Sequence, residues 1–169
     1  IIPIVAKLKV VDPAAFAVLY RLHYRTIVAY LYRRTGDAHA AEDLACETFL
    51  AAYRAIPNYR LRGLPFRSWL YRIATNAASA WARARSRLKV VRLVSADPCP
   101  APSAAEPALT QEEAQAALLT LAPIHQDVLT LHYLEEIPVS EVAAILSLRE
   151  GTVKSRLSRA LRTLRKELT

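Results

Sequence analysis

The 169-residue sequence contains no methionine, three glycines and two cysteines. The missing methionine, at position 1 as elsewhere, marks a trimmed, processed or engineered form, so the first residues carry little weight. Cys46 and Cys99 stand far apart and make no CxxC pair. That argues against a disulfide framework and points to a reducing compartment, the cytoplasm. No apolar run approaches the roughly 20 residues of a membrane-spanning helix, so no membrane insertion is expected. The opening "IIPIVA" is too short for a signal-peptide core and lacks a basic region ahead of it. The four histidines show no HExxH and no ligand spacing with the cysteines. A P-loop, a glycine-rich fingerprint and a nucleophile elbow are likewise missing. These absences point away from an enzyme, a cofactor or a bound metal.

Hydrophobic residues make up 53% of the chain, enough for a packed core. Leu, Ala and Arg dominate, all good helix formers. The expected fold class is all-α. The formal charge is +8, which favours a polyanionic partner. Its distribution says more. Residues 1–87 hold fourteen basic against five acidic side chains, a net +9, and residues 88–110 are neutral. Residues 111–138 hold five acids and no base, and residues 139–169 hold seven bases against three acids. Two basic blocks flanking an acidic stretch fit two separate nucleic-acid contacts.

Helical periodicity runs nearly throughout. Asp12-Pro13 reads as a cap and first turn, opening a helix to about Arg34 that Thr35-Gly36 stops. Its inward positions are Phe16, Leu19, Tyr20, His23 and Ile27. Asp37 can cap a second helix to about Ala55, with Ala41, Leu44, Ala45, Phe49 and Tyr53 inward. A Pro/Gly loop comes next, then a third helix over about 66–87. Val90 to Val94 could pass for a strand or a frayed helix end. "SADPCPAPSAAEPA" reads as an extended linker. Four more helices fit, about 111–121, 123–134, 139–146 and 151–168. The expectation is two small helical domains on a flexible tether: a three-helix bundle over 1–90, a linker over 91–110 and a four-helix domain over 111–169.

Residues 138–168 form a short helix, a tight turn and a longer basic helix, the pattern of a helix-turn-helix. Val153, Leu157, Ala160, Leu161, Leu164 and Leu168 share one arc of the last helix. Lys154, Ser155, Ser158, Arg159, Arg162, Arg165 and Lys166 share another. Such a helix can pack one face and present donors to a major groove with the other. Thr152, Lys154, Ser155, Ser158 and Arg159, near its start, would meet bases; Arg162 would meet backbone.

"GTVKSRLSRALRTLR" resembles the last helix of region 4 of bacterial sigma factors, above all the extracytoplasmic-function group, whose usual form is GTVKSR-x-x-RA. The resemblance adds Arg156 to the candidates for the −35 element. Gln126 stands where many relatives have Arg, and Glu136 and Ser147 stand where many have Gly. "AAEDLACETFLAAYRAI" resembles region 2.2, whose common form is AEDLVQETFL, with Cys46 in place of glutamine. The resemblance implies docking on the coiled coil of the largest subunit of RNA polymerase through Asp43, Leu44, Cys46, Glu47 and Phe49. Asp43 and Glu47, four apart, put two acids on one face of an otherwise basic block. "FRSWLYRIATNAASAWARARSR" resembles regions 2.3 and 2.4, with WLYRIAxN intact. By 100° steps Phe66, Trp69, Leu70, Ile73, Ala77, Ala80 and Trp81 fall on a core arc, with the tryptophans at its edges. Beside Trp69 runs a stripe of Arg72, Asn76, Ser79 and Arg83, suited to holding one unpaired strand.

The resemblance implies that Asn76 and the 57–65 loop, with Tyr59, Arg60 and Arg62, capture a flipped base of the −10 element. It implies an alternative sigma factor that binds core polymerase (largest-subunit coiled coil and second-largest-subunit flap) and both double- and single-stranded promoter DNA. It also implies an anti-sigma factor. The rival reading is a stand-alone helix-turn-helix regulator that never touches polymerase. A second is a degenerate or designed sigma-like bundle without activity.

Overall fold

The computed structural model describes residues 13–59, 64–91 and 110–167. Those residues are helical or in turns, with no strand among them. The expected cap at Asp12, most of the linker, Arg60, Arg62, Cys99 and Leu168 lie outside them.

Helix α1, Pro13–Thr35, starts on a proline whose missing N–H costs nothing in a first turn. It ends where Gly36 takes a left-handed φ of 67° and donates its N–H to the Tyr32 carbonyl at 2.8 Å. Asp37 then caps α2, Ala38–Ala55, its carboxylate accepting the Ala40 N–H at 3.1 Å. A 3-10 turn over Ile56–Asn58 leads toward α3, Phe66–Val91, which runs slightly past the expected end. The three helices pack as a bundle around Leu19, Ile27, Phe49, Leu70 and Ala74. Tyr30, fully buried, shares a 2.7 Å hydrogen bond with Thr75 and ties α1 to α3.

The second bundle begins with α4, Gln111–Thr120, closed at its start by a reciprocal Thr110–Glu113 capping box. Helix α5, Pro123–Leu129, does not continue as α-helix to Leu134 as expected. The five residues that follow it, Thr130–Leu134, form a π turn closed by the Glu135 N–H on the Thr130 carbonyl. The extra residue rotates the chain beyond it, so Glu135 turns inward while Tyr133 and Leu134 face out. Helix α6, Val139–Leu146, and α7, Glu150–Glu167, complete the helix-turn-helix. Ser147 makes its turn with φ 55°, and the Leu148 N–H reaches the Ala143 carbonyl at 2.8 Å. Glu136 also has positive φ, at 54°. Both positions at which many relatives carry glycine are therefore left-handed turns, here filled by side-chain-bearing residues.

The two bundles are in contact. Helix α3 packs on α6, α1 on α4, and their buried residues form one contiguous core. Burial on α3 differs accordingly from the expected arc. Tyr71, Ser68 and Thr75 are buried, because the second bundle covers that side, and Ala80 is exposed. The acidic stretch supplies this seam. Glu135 accepts from Arg33 and from the Tyr71 hydroxyl, and its carbonyl accepts from Arg67. Ser68 donates to Glu141, and Arg34 donates to Gln126 while lying 2.8 Å from Asp127 in an ion pair. Burial and the adjoining carboxylate push the Tyr71 phenol well above its ordinary pKa. Burial also raises the Asp127 pKa, more than the Arg34 charge lowers it.

Candidate nucleic-acid and polymerase interfaces

Three exposed surfaces carry the expected site residues. The first is on α2. Its spacing turns Ala41, Leu44, Ala45, Thr48 and Phe49 inward and leaves Asp43, Cys46 and Glu47 in solvent. Leu44 and Phe49 are corrected on this point. They are 5% and 3% exposed, packed against the other helices of the bundle, so they support the face from beneath. Leu50, 50% exposed, joins the face instead. The signal was present in the sequence, since Leu50 lies three residues after Glu47 and four after Cys46, one helical turn on.

The second surface runs along α3. Asn76 and Arg83 are exposed, as expected of the donor stripe. Arg72 is exposed too, but its guanidinium donates to the Ser147 hydroxyl at 2.7 Å, so one end of the stripe abuts the helix-turn-helix. Trp69 is half-buried in an aromatic cluster, 4.6 Å from Tyr59 and 5.5 Å from Phe66 between ring centroids. The Tyr59 hydroxyl donates to the Leu64 carbonyl at 2.9 Å and pins the two ends of the loop together. Further along, the Arg85 guanidinium lies 5.1 Å over the Trp81 ring and 4.0 Å from Asp37.

The third surface is α7. Lys154, Ser155, Ser158, Arg159 and Arg162 are exposed on one arc, and Thr152 is half-buried at its start. Val153, Leu157 and Ala160 anchor the opposite side. Arg156 departs from expectation. It sits about 200° around the helix from Lys154, on the inward side. It is half-buried there, and its charge acts on Asp127. Arg156 thus supports the bundle and is not presented with the basic arc. Leu161, expected inward, is 42% exposed, because it lies at the border between the apolar and basic arcs.

Among the described residues no group of His, Cys, Asp and Glu could hold a metal ion, and no helix is long and apolar enough to cross a membrane.

Residues 19–88 match the family model of Sigma-70 region 2, and residues 111–164 match that of Sigma-70 region 4. The chain is 36% identical over 155 residues to the ECF RNA polymerase sigma factor BldN of Streptomyces coelicolor, covering 89% of this chain and 59% of that protein. It is 31% identical over 170 residues to the ECF RNA polymerase sigma factor SigW of Bacillus subtilis, covering 93% of this chain and 90% of that protein. Among solved structures, the sigma factor RpoE in complex with the anti-sigma factor NepR from Bartonella quintana superposes with a TM-score of 0.75 at 23% identity, covering 90% of this chain and 96% of that one. The chain spans about three-fifths of BldN's length and most of SigW's.

Proposed function

Because the chain belongs to the extracytoplasmic-function sigma factors, we propose that it binds core RNA polymerase in the cytoplasm and directs initiation at particular promoters. It has no chemistry of its own, and the polymerase makes the bonds. In this reading residues 1–90 dock on the polymerase and engage the −10 element, residues 91–110 connect, and residues 111–169 read the −35 element as duplex. The observation that carries it is the α2 face of Asp43, Cys46, Glu47 and Leu50. It is acidic and apolar, it is exposed, and it lies in a bundle that is otherwise basic. DNA repels such a face, and a basic protein surface such as the polymerase coiled coil suits it. A stand-alone helix-turn-helix regulator has no use for it. Cys46, where the common form has glutamine, makes a smaller contact there.

On the DNA side, the α7 arc offers Lys154, Ser155, Ser158 and Arg159 to base edges, with Arg162 on phosphate. The Asn76 amide can donate and accept at once, so it can read the edge of an extruded base. Arg83 holds the sugar-phosphate track, Arg72 joins it once freed from Ser147, and Tyr59, Arg60, Arg62 and Trp69 take part in capturing that base. The helix-turn-helix domain also meets the polymerase flap, and an anti-sigma factor of the kind bound to RpoE masks these surfaces.

Two measurements test the reading. Immobilised wild-type chain retains core polymerase, and Asp43→Lys/Glu47→Lys loses it. Retention by neither, with duplex binding intact, would favour the stand-alone regulator. Asn76→Ala impairs strand opening in a permanganate footprint while duplex binding through α7 persists. Unchanged opening would remove Asn76 from the role.

A further inference from the structure

A hydrogen bond is directional, so an amide reads a base edge only from the right orientation. Whatever sets the rotation of α3 at Asn76 therefore sets how that residue reads. Packing shape does little of this. Between residues 74 and 80 the buried side chains are Ala74, Thr75 and Ala78, and Ala77 is half-buried. Alanines let α3 approach its neighbours closely, but they make no tall ridge to seat in a groove, so they fix depth better than rotation. A rotation of about 10° moves a side-chain tip 5–6 Å from the helix axis by about 1 Å.

Thr75 supplies what the alanines lack. It is 5% exposed and stands one residue before Asn76 and three after Arg72. Its hydroxyl donates to the Tyr71 carbonyl at 2.8 Å. A threonine has one hydroxyl hydrogen, so in the 2.7 Å contact with Tyr30 the phenol donates and Thr75 accepts. Tyr30 is itself held fast. It is fully buried on α1, with its ring edge-on to that of Tyr71 at 5.2 Å between centroids. The bonds from Tyr30 to Thr75 and from Thr75 to the Tyr71 carbonyl key α3 to α1 at one rotation, which non-directional apolar burial does not. Stability alone does not call for them. Phenylalanine at position 30 would keep the ring contact and the burial, and the net gain from one hydroxyl pair is modest.

We infer that Tyr30 and Thr75 are positioning residues for Asn76. Their hydroxyl pair holds α3 at the rotation from which the amide meets an extruded base. This role rests on the chain being a sigma factor in which Asn76 captures a −10 base. Tyr30 and Thr75 are buried, so they act through Asn76 and not on the DNA.

The test is the rate of strand opening, followed with permanganate, by core RNA polymerase and the chain on a promoter fragment selected with the wild type. Tyr30→Phe slows opening about tenfold, within what a misplacement of about 1 Å can cost. Thr75→Val keeps the β-branched shape, removes the bond from its other side and slows opening equally. This second variant matters because the Arg34 guanidinium also acts on the Tyr30 phenol. Thr75→Ser keeps the hydroxyl and opens at close to the wild-type rate. Retention of polymerase and duplex binding through α7 are unchanged in all three. On the Asn76→Ala background, Tyr30→Phe slows the residual opening no further, because the group it positions is gone. Full slowing on that background would make the bond a general support of the bundle and overturn the role. So would wild-type opening in Tyr30→Phe and Thr75→Val, Thr75→Ser as slow as Thr75→Val, or loss of polymerase retention in Tyr30→Phe and Thr75→Val. If the wild-type chain opens no promoter, the functional reading fails instead. Positioning is then judged by NMR of the free chain. Tyr30→Phe displaces the Asn76 side-chain amide signal from a different helix, and an unmoved signal overturns the role.

Discussion

Placing a methyl group on Gly36 perturbs the seam at one point. Gly36 ends α1 with φ 67°, a region where an L side chain costs about 1–2 kcal/mol. Restricting the unfolded chain returns roughly 0.5 kcal/mol, leaving about 1 kcal/mol from the backbone. The new Cβ would also lie 2.6 Å from Cδ1 of Leu119, on α4 of the other bundle. Leu119 is 38% exposed and its side chain can swing away, giving up its partial burial at about 1 kcal/mol. Gly36→Ala therefore costs about 2 kcal/mol, and Leu119→Ala about 1 kcal/mol on the same burial argument. In the double variant the clash is gone and only the backbone and burial losses remain, about 2 kcal/mol in all. The deficit from additivity, about 1 kcal/mol, is the coupling between the bundles. Urea unfolding followed by far-UV circular dichroism measures it, with tryptophan fluorescence reporting the first bundle, where Trp69 and Trp81 both lie. Each kcal/mol also appears as a Tm change of roughly 2–4 °C. Additivity within about 0.3 kcal/mol would mean that Gly36 and Leu119 do not meet in solution, and the seam between the bundles would be wrong.

Two further outcomes rest on local geometry. His23 is half-buried 5.7 Å from the Phe66 ring, its Nε2 without a hydrogen-bond partner, and burial first and the Arg67 charge second lower its pKa below 6.5. The unfolded chain thus takes up a proton before the folded one. The stability involved is intact above pH 6.5 and is lost as pH falls from there through the lowered folded value. His23→Phe should flatten the fall in Tm over that window, and an unchanged slope would exclude His23 as its source. Glu136→Gly relieves a left-handed φ of 54° and should raise Tm by about 1–2 °C, roughly 0.5 kcal/mol after the added unfolded-state freedom. A lowered Tm would show that the Glu136 side chain contributes more than its backbone strain costs.

Most helices are legible in the sequence because their signals are local. Asp37 behind Gly36 marks a stop and a start within two residues, and the capping geometry obeys it. The helix-turn-helix is legible from two apolar arcs and one basic arc. What escapes depends on partners distant in the chain or on small changes of phase. Glu135 meets Tyr71 across 64 residues and Arg33 across 102, so periodicity cannot foretell its burial. The π turn at Thr130–Leu134 shifts the phase by one residue, and a longer helical pattern hides it. A family motif draws Arg156 into the DNA-binding set, while its own angle on the helix places it inward. The acidic stretch over residues 111–138 reads in the sequence as a separator between two DNA-binding blocks. In the fold, two of its carboxylates, Asp127 and Glu135, neutralise arginines of the first block, so part of the charge pattern is internal complementarity.

The most direct test of the central claim is transcription itself. Core RNA polymerase, a library of promoter fragments and the chain are combined in a run-off assay. The account predicts discrete transcripts from a subset of fragments that share −10 and −35 elements. These transcripts are absent without the chain and sharply reduced by Asn76→Ala and by Lys154→Ala/Arg159→Ala. No chain-dependent transcript from any fragment, with a folded chain and active core enzyme, would contradict it.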